Sequence, residues 1–182
     1  MGADRQSRRA EEGREVTAWF DTRHLIYMRR KDKEVSDPRI IQELLSTAEV
    51  CRLAMVDERE PYIVPLNYGF RDNALYVHSA LEGRKIDILR RNSRVCFEVE
   101  SNSVIVRHED PCHWGTRSRS VIGYGHVEIL TDAEEKKRGL DIILAHYGKA
   151  GPNAYDEKQL QSTVILRIAI ESVTCKQLGD WT

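Results

Sequence analysis

The sequence predicts a mostly β domain, a small β-barrel or α+β arrangement in which antiparallel strands are separated by helices. Three observations carry this expectation. Short apolar and polar alternations are joined by tight polar turns, helical spacing occurs in three isolated stretches, and no βαβ alternation runs along the chain. A length of 182 residues with 41% hydrophobic residues fits one domain with one core.

Ser36-Asp37-Pro38 opens the first helix. It offers a cap and an early proline, and Ile40, Ile41, Leu44, Leu45 and Ala48 then fall on one helical face. The pattern turns to β at Val50–Val56, Tyr62–Phe70 and Ala74–His78, with turns at Asp57–Glu60 and Arg71–Asn73, which is a meander. Pro65 cannot donate to a ladder, so an edge or a bulge is expected there. Gly83–Asn92 returns to helical spacing, with Ile86 and Leu89 turned inward. Strands follow at Arg94–Glu100, about Ser103–Arg107 and Ser120–Leu130. Thr131-Asp132 then caps a helix carrying Leu140, Ile143 and Leu144 that ends near Tyr147-Gly148, and the last strand is Thr163–Ile170. Six or seven strands result.

Composition excludes several classes of function. No run approaches the ~18 apolar residues of a membrane span. A formal net charge of -1 gives no global attraction to nucleic acid or anionic lipid, so any anion site is local. Cys51, Cys96, Cys112 and Cys175 are widely spaced without a CxxC pair, and the first residues lack the apolar stretch of a secretory signal, so buried thiols in a cytoplasmic protein are expected. Residues 1–27 read as an N-terminal extension, a solvated arm in which Trp19 and Phe20 could dock on a partner subunit. Residues 28–182 form the domain.

Two stretches could carry chemistry. In Tyr76–Lys85 a strand ends at Ser79, a glycine follows at Gly83, and Arg84 and Lys85 occupy the first turn of a helix. Unpaired N–H groups and the positive dipole end favour an anion there, while cations at that end ask for a reason. A phosphate cradle and a solvated basic face continuous with Arg90-Arg91 are both open readings. The second stretch is His108–Ser120. His108, Cys112 and His113 lack a further ligand pair to complete a zinc site, and no GxSxG elbow marks a serine nucleophile. Arg117, Ser118, Arg119 and Ser120 suit a phosphate or carboxylate. Gly123-x-Gly125 lacks the third glycine of a dinucleotide fingerprint.

The runs Ile63–Gly69, Leu75–Arg90, Arg94–Val99 and Ser120–Gly125, in that order, resemble the nitroimidazole-resistance (Nim-like) branch of the pyridoxamine 5′-phosphate oxidase-like, FMN-binding split-barrel superfamily. The resemblance spans about Met28 to Val173. It implies a six-stranded antiparallel split barrel that binds FMN between the subunits of a homodimer; no metal site is expected from the residues themselves. It further implies that the backbone of Val64, Pro65, Leu66 and Asn67 follows the isoalloxazine edge and that Ser79, Arg84 and Lys85 hold the phosphate. His78 stands beside the ring as the catalytic candidate, and Trp114, Arg117 and Ser120 come from the other subunit. Relatives often carry Lys-Tyr where this chain has Arg117-Ser118. The implied activity is an FMN-dependent oxidoreductase passing electrons from a reduced donor to a small acceptor of the nitroaromatic kind. The alternative is a flavin- or haem-binding sensor, store or carrier, with His78, His108, Cys112 and His113 as possible axial ligands.

Overall fold

The protein is described by a computed structural model covering residues 28–101, 103–149, 151 and 153–181; the proposed arm at 1–27, with Trp19 and Phe20, lies outside the described residues. Nine strands and four α-helices occur among these residues. They are β1 (Glu34–Val35), α1 (Pro38–Thr47), β2 (Cys51–Asp57), β3 (Glu60–Leu66), β4 (Gly69–Arg71), β5 (Ala74–Ala80), α2 (Arg84–Arg91), β6 (Arg94–Glu100), β7 (Val104–Val106), β8 (Gly115–Leu130), α3 (Ala133–His146), α4 (Glu157–Gln161) and β9 (Thr163–Leu178).

Every ladder is antiparallel. The hydrogen-bonded path runs β3-β2-β6-β8-β9-β5-β4, with β1 added to β9 and β7 to β8. The expected six strands are therefore corrected to nine, and the path is open between β3 and β4. Those two outermost strands are nevertheless consecutive in the chain, separated only by Asn67 and Tyr68. Two residues cannot span a flat sheet of seven strands spaced ~4.8 Å apart, so the sheet must curl back on itself without closing. A barrel split along one seam results. The single strand expected over Tyr62–Phe70 becomes two because the chain steps across this seam.

The core fills the inside of the curl. Leu45, Leu53, Phe97, Val99, Leu166 and Ile168 are fully buried there, with Ile86, Ile88 and Leu89 of α2 closing one end. A smaller cluster of Leu130, Ile143 and Ile165 holds α3 against the sheet. Both β8 and β9 outrun their expected limits. In β9 the inward residues are Val164, Leu166, Ile168 and Ile170, then Val173 and Cys175. The change of parity comes from a bulge: Gly125 pairs with Ile170 and Tyr124 with Ser172, leaving Glu171 as the extra residue.

All four cysteines are free; Cys51 and Cys175 are buried, Cys96 is half-buried and Cys112 is exposed. Burial pushes the Cys51 thiol up to about 12 and the Cys175 thiol up to about 11, from an ordinary value of 9.0. Both folded values lie above the unfolded one, so the stabilisation is complete below pH 9 and drains away as pH rises toward 11–12. Each buried thiol should withdraw on the order of 2 kcal/mol by pH 11. Denaturant titrations at pH 8 and pH 11 read this loss, and Cys51→Val should reduce it; an unchanged difference in that variant contradicts the buried placement.

Candidate cofactor site

The N-terminus of α2 lacks what the other helices have. Asp37, Asp132 and Asp156 cap α1, α3 and α4 with side-chain carboxylates, whereas α2 begins at Gly83 with no side-chain cap. Gly83 has φ +119 and open space where a Cβ would stand, so backbone conformation is what demands glycine. The first helical bond runs from Asp87 N to Gly83 O at 3.1 Å, which leaves the amides of Arg84, Lys85 and Ile86 ahead of the ladder.

The two cations are not equivalent. Lys85 is half-buried, makes no ion pair with a described residue, and has its pKa lowered by burial. Arg84 donates from Nε to Asp57 Oδ2 at 3.1 Å, and its guanidinium carbon lies 4.5 Å from the centre of the Tyr62 ring. Arg91 reaches the other oxygen of Asp57 at 2.6 Å. Nearby on β5, Ser79 is buried and His78 is exposed, and neither side chain hydrogen-bonds to a described residue.

The two-residue link Asn67-Tyr68 leads from β3 into β4, which pairs with the β5 strand that carries His78. Val64 and Leu66 pack against the core, while Pro65 is exposed on an edge strand, as its missing N–H requires. The β4–β5 ladder ends at Gly69 opposite Tyr76, and carrying that register two residues further sets Asn67 level with His78. The strands part at that point. Tyr147 fixes the crossover: its hydroxyl accepts from Asn67 Nδ2 at 3.2 Å and Tyr68 N at 3.1 Å, and donates to Glu49 O at 2.6 Å. Tyr68 donates to Leu45 O at 2.7 Å, and the His146 ring lies 4.5 Å from its own. Sequence reading gave Tyr147 only as a helix end, and its role depends on partners 80 and 98 residues away.

The remaining predicted residues lie elsewhere on the chain. Ser120 pairs with Glu100 at one end of β6, whereas α2 feeds Arg94 at the other, so the two groups stand ~20 Å apart along the strand. One chain does not bring them together. Trp114 is 51% exposed, with its indole N–H donating to His108 O at 2.8 Å. The Arg117 guanidinium carbon is 5.8 Å and that of Arg119 4.0 Å from the Trp181 ring, and Arg119 also donates to Gln177 Oε1 at 2.7 Å. Ser118 is buried, so the aromatic group beside Arg117 on this surface is Trp181 from beyond β9. A groove of about 400 Å³ includes Glu100, Val104, Arg117 and Trp181.

Three other features do not join this site. The His108 and His113 rings lie tilted with centres 4.9 Å apart and are braced by Asp110, and among the described residues no three metal-ligating side chains converge. Ser93 Oγ, His126 and Glu171 form a line at 3.1 and 3.2 Å, but Arg94 also holds Glu171, and the group ties the bulge of β9 to β6 and β8 at the surface. A groove of about 670 Å³ between α3 and the sheet has Arg167 facing Glu128 and Arg71 facing Asp72, so its cations are largely answered. No described helix is long and apolar enough to cross a membrane.

Comparison with known proteins gives these features a context. A candidate 5-nitroimidazole antibiotic resistance protein from Bacteroides thetaiotaomicron VPI-5482 is 32% identical, with a TM-score of 0.72 over 80% of this chain and 87% of that one. The FAD- and haem-binding protein of Mycobacterium smegmatis shares the fold at a TM-score of 0.73 and 21% identity, over 82% of this chain and 75% of that one. An uncharacterised Rhizobium meliloti protein is 36% identical over 58 residues, 32% of this chain and 38% of its own length. The model of the pyridoxamine 5′-phosphate oxidase family matches residues 37–177. That match runs from the cap of α1 nearly to the end of β9 and takes in the seam, Tyr147 and the open end of α2: the chain belongs to the pyridoxamine 5′-phosphate oxidase family.

Proposed function

We propose that this protein binds FMN between the subunits of a homodimer and is an oxidoreductase that passes electrons from a reduced donor to a small acceptor. The observation that carries the reading is Lys85, a half-buried ammonium without an acid partner among the described residues, beside three uncapped amides at the start of α2. A dianionic phosphate satisfies all of these groups at once. Nitroaromatics are the acceptor class favoured by the likeness to the Bacteroides protein, and the four free thiols accord with a cytoplasmic setting.

FMN supplies the redox chemistry when bound. The chain's part is to bind and orient it. Ser79, Arg84 and Lys85 would take the phosphate, and the backbone of Val64, Pro65, Leu66 and Asn67 would run beside the ring, with Tyr147 anchoring the link at Asn67-Tyr68. His78 presents an imidazole at the seam, where it can donate a proton to the acceptor as charge develops. Trp114, Arg117 and Ser120 complete the site from the second copy. A dimer is supported by the exposed apolar run Val104, Ile105 and Val106 beside Trp114, which a second copy would cover.

The test is direct. Purified protein should be yellow or take up FMN on titration, with quenching of flavin fluorescence, and should oxidise NADH or NADPH faster when a nitroimidazole is added. Colourless protein that leaves FMN fluorescence unchanged sinks the proposal. A sharp Soret band transfers it to haem, and flavin binding without turnover leaves a carrier.

A further inference from the structure

We infer that Asp57 is a positioning residue for the phosphate site, an acid whose task is to hold Arg84 in place for an anion. The inference rests on the reading of the α2 N-terminus as that site. A carboxylate in a site for a dianion is unexpected, because like charges repel. Its geometry explains its presence. Asp57 ends β2, its side chain is 22% exposed, and its two oxygens are divided between Arg84 Nε at 3.1 Å and Arg91 Nη2 at 2.6 Å. Tyr62, on β3 beyond the hairpin turn, lies under the Arg84 guanidinium at 4.5 Å.

Arg84 is thus held on one edge by a carboxylate and on one face by a ring. Its two terminal amino groups have no partner among the described residues, and they form the fork that pairs with phosphate oxygens. An unanchored arginine side chain loses rotamer freedom when it binds, whereas one already held loses little. The same carboxylate ties down Arg91 at the far end of α2, so a single acid braces both ends of the helix against the hairpin.

Two accounts of Asp57 differ in sign. If it merely offsets positive charge, removing it makes the site more cationic and FMN binds more tightly. If it positions Arg84, removing it weakens FMN binding. The experiment compares FMN with riboflavin, which lacks the phosphate, by fluorescence quenching on the full-length protein. Asp57→Ala should weaken FMN about tenfold, the size of one lost charge-assisted hydrogen bond, and leave riboflavin within about twofold. Asp57→Glu should restore most of the FMN affinity. Should Asp57→Ala fail to fold, Asp57→Asn gives the same comparison. Unchanged or tighter FMN binding in these variants overturns the inference, as does an equal loss for riboflavin. A wild-type protein that binds FMN no better than riboflavin removes the phosphate site itself, which is a separate failure.

Discussion

Replacing Lys85 with alanine should weaken FMN binding by roughly 10- to 100-fold, because a charge-assisted hydrogen bond to a partly buried group contributes about 1.5–3 kcal/mol. Riboflavin should bind as before. The ligand-free variant should melt no lower than wild type, since a half-buried ammonium without a carboxylate among the described residues costs desolvation that alanine does not. A structural lysine would behave the other way, losing stability and both flavins together. The sign with pH follows from burial, which lowers the pKa of Lys85 in the free protein. Bound phosphate favours the charged form, so the preference for FMN over riboflavin should shrink as pH rises toward that lowered pKa. A preference independent of pH, with unchanged affinity in Lys85→Ala, would put the phosphate elsewhere.

Gly125→Ala should be the most damaging single-methyl addition in the sheet. A Cβ at Gly125 would stand 2.1 Å from Ala169 O, and one at Gly123 would stand 2.2 Å from Cζ of Phe97. At Gly125 the obstacle is backbone of β9, which cannot turn aside as a side chain can. The expected cost is about 3 kcal/mol, at the upper end for overpacking. That corresponds to a melting temperature lower by roughly 6–12 °C in a chain of this size. Scanning calorimetry of the variant measures it, and a shift under about 2 °C would mean that the register beside the bulge is other than described. At Gly123 the obstacle is a ring, so Phe97→Leu should recover part of the stability lost in Gly123→Ala.

These glycines also mark where sequence reading succeeds and fails. Gly123-x-Gly125 has the look of a fragment of a nucleotide loop, and the missing third glycine argues against one; its actual cause is close approach to Phe97 and Ala169. Local signals are legible: the Asp37 and Asp132 caps, the inward Ile86 and Leu89, the turn expected at Arg71–Asn73, which the structure narrows to Asp72 and Asn73 with positive φ, and the edge position of Pro65. What escapes is set by residues far apart in sequence. The Tyr62–Phe70 run has the apolar content of one strand, and only the curl of the sheet divides it at Asn67-Tyr68. The bulge at Glu171 hides the second half of β9 by reversing its alternation. The cations of α2 are visible as residues, but their difference is not, because the acid that occupies Arg84 lies 27 residues earlier.

The place of β9 in the sheet sets a schedule for synthesis. It pairs with β8, β5 and β1, and β5 is complete more than 80 residues before β9 begins. While the chain emerges from the ribosome, β5 has only the three-residue β4 beside it, and its other edge waits for Thr163–Leu178. The barrel cannot form in stages from its N-terminal half. A nascent chain stopped after α3 would hold β5 and β8 with open edges and Leu75, Val77 and Val127 unburied, a species prone to bind other strands. Completion of the barrel therefore waits for β9, and chaperone protection should matter most before that strand is released.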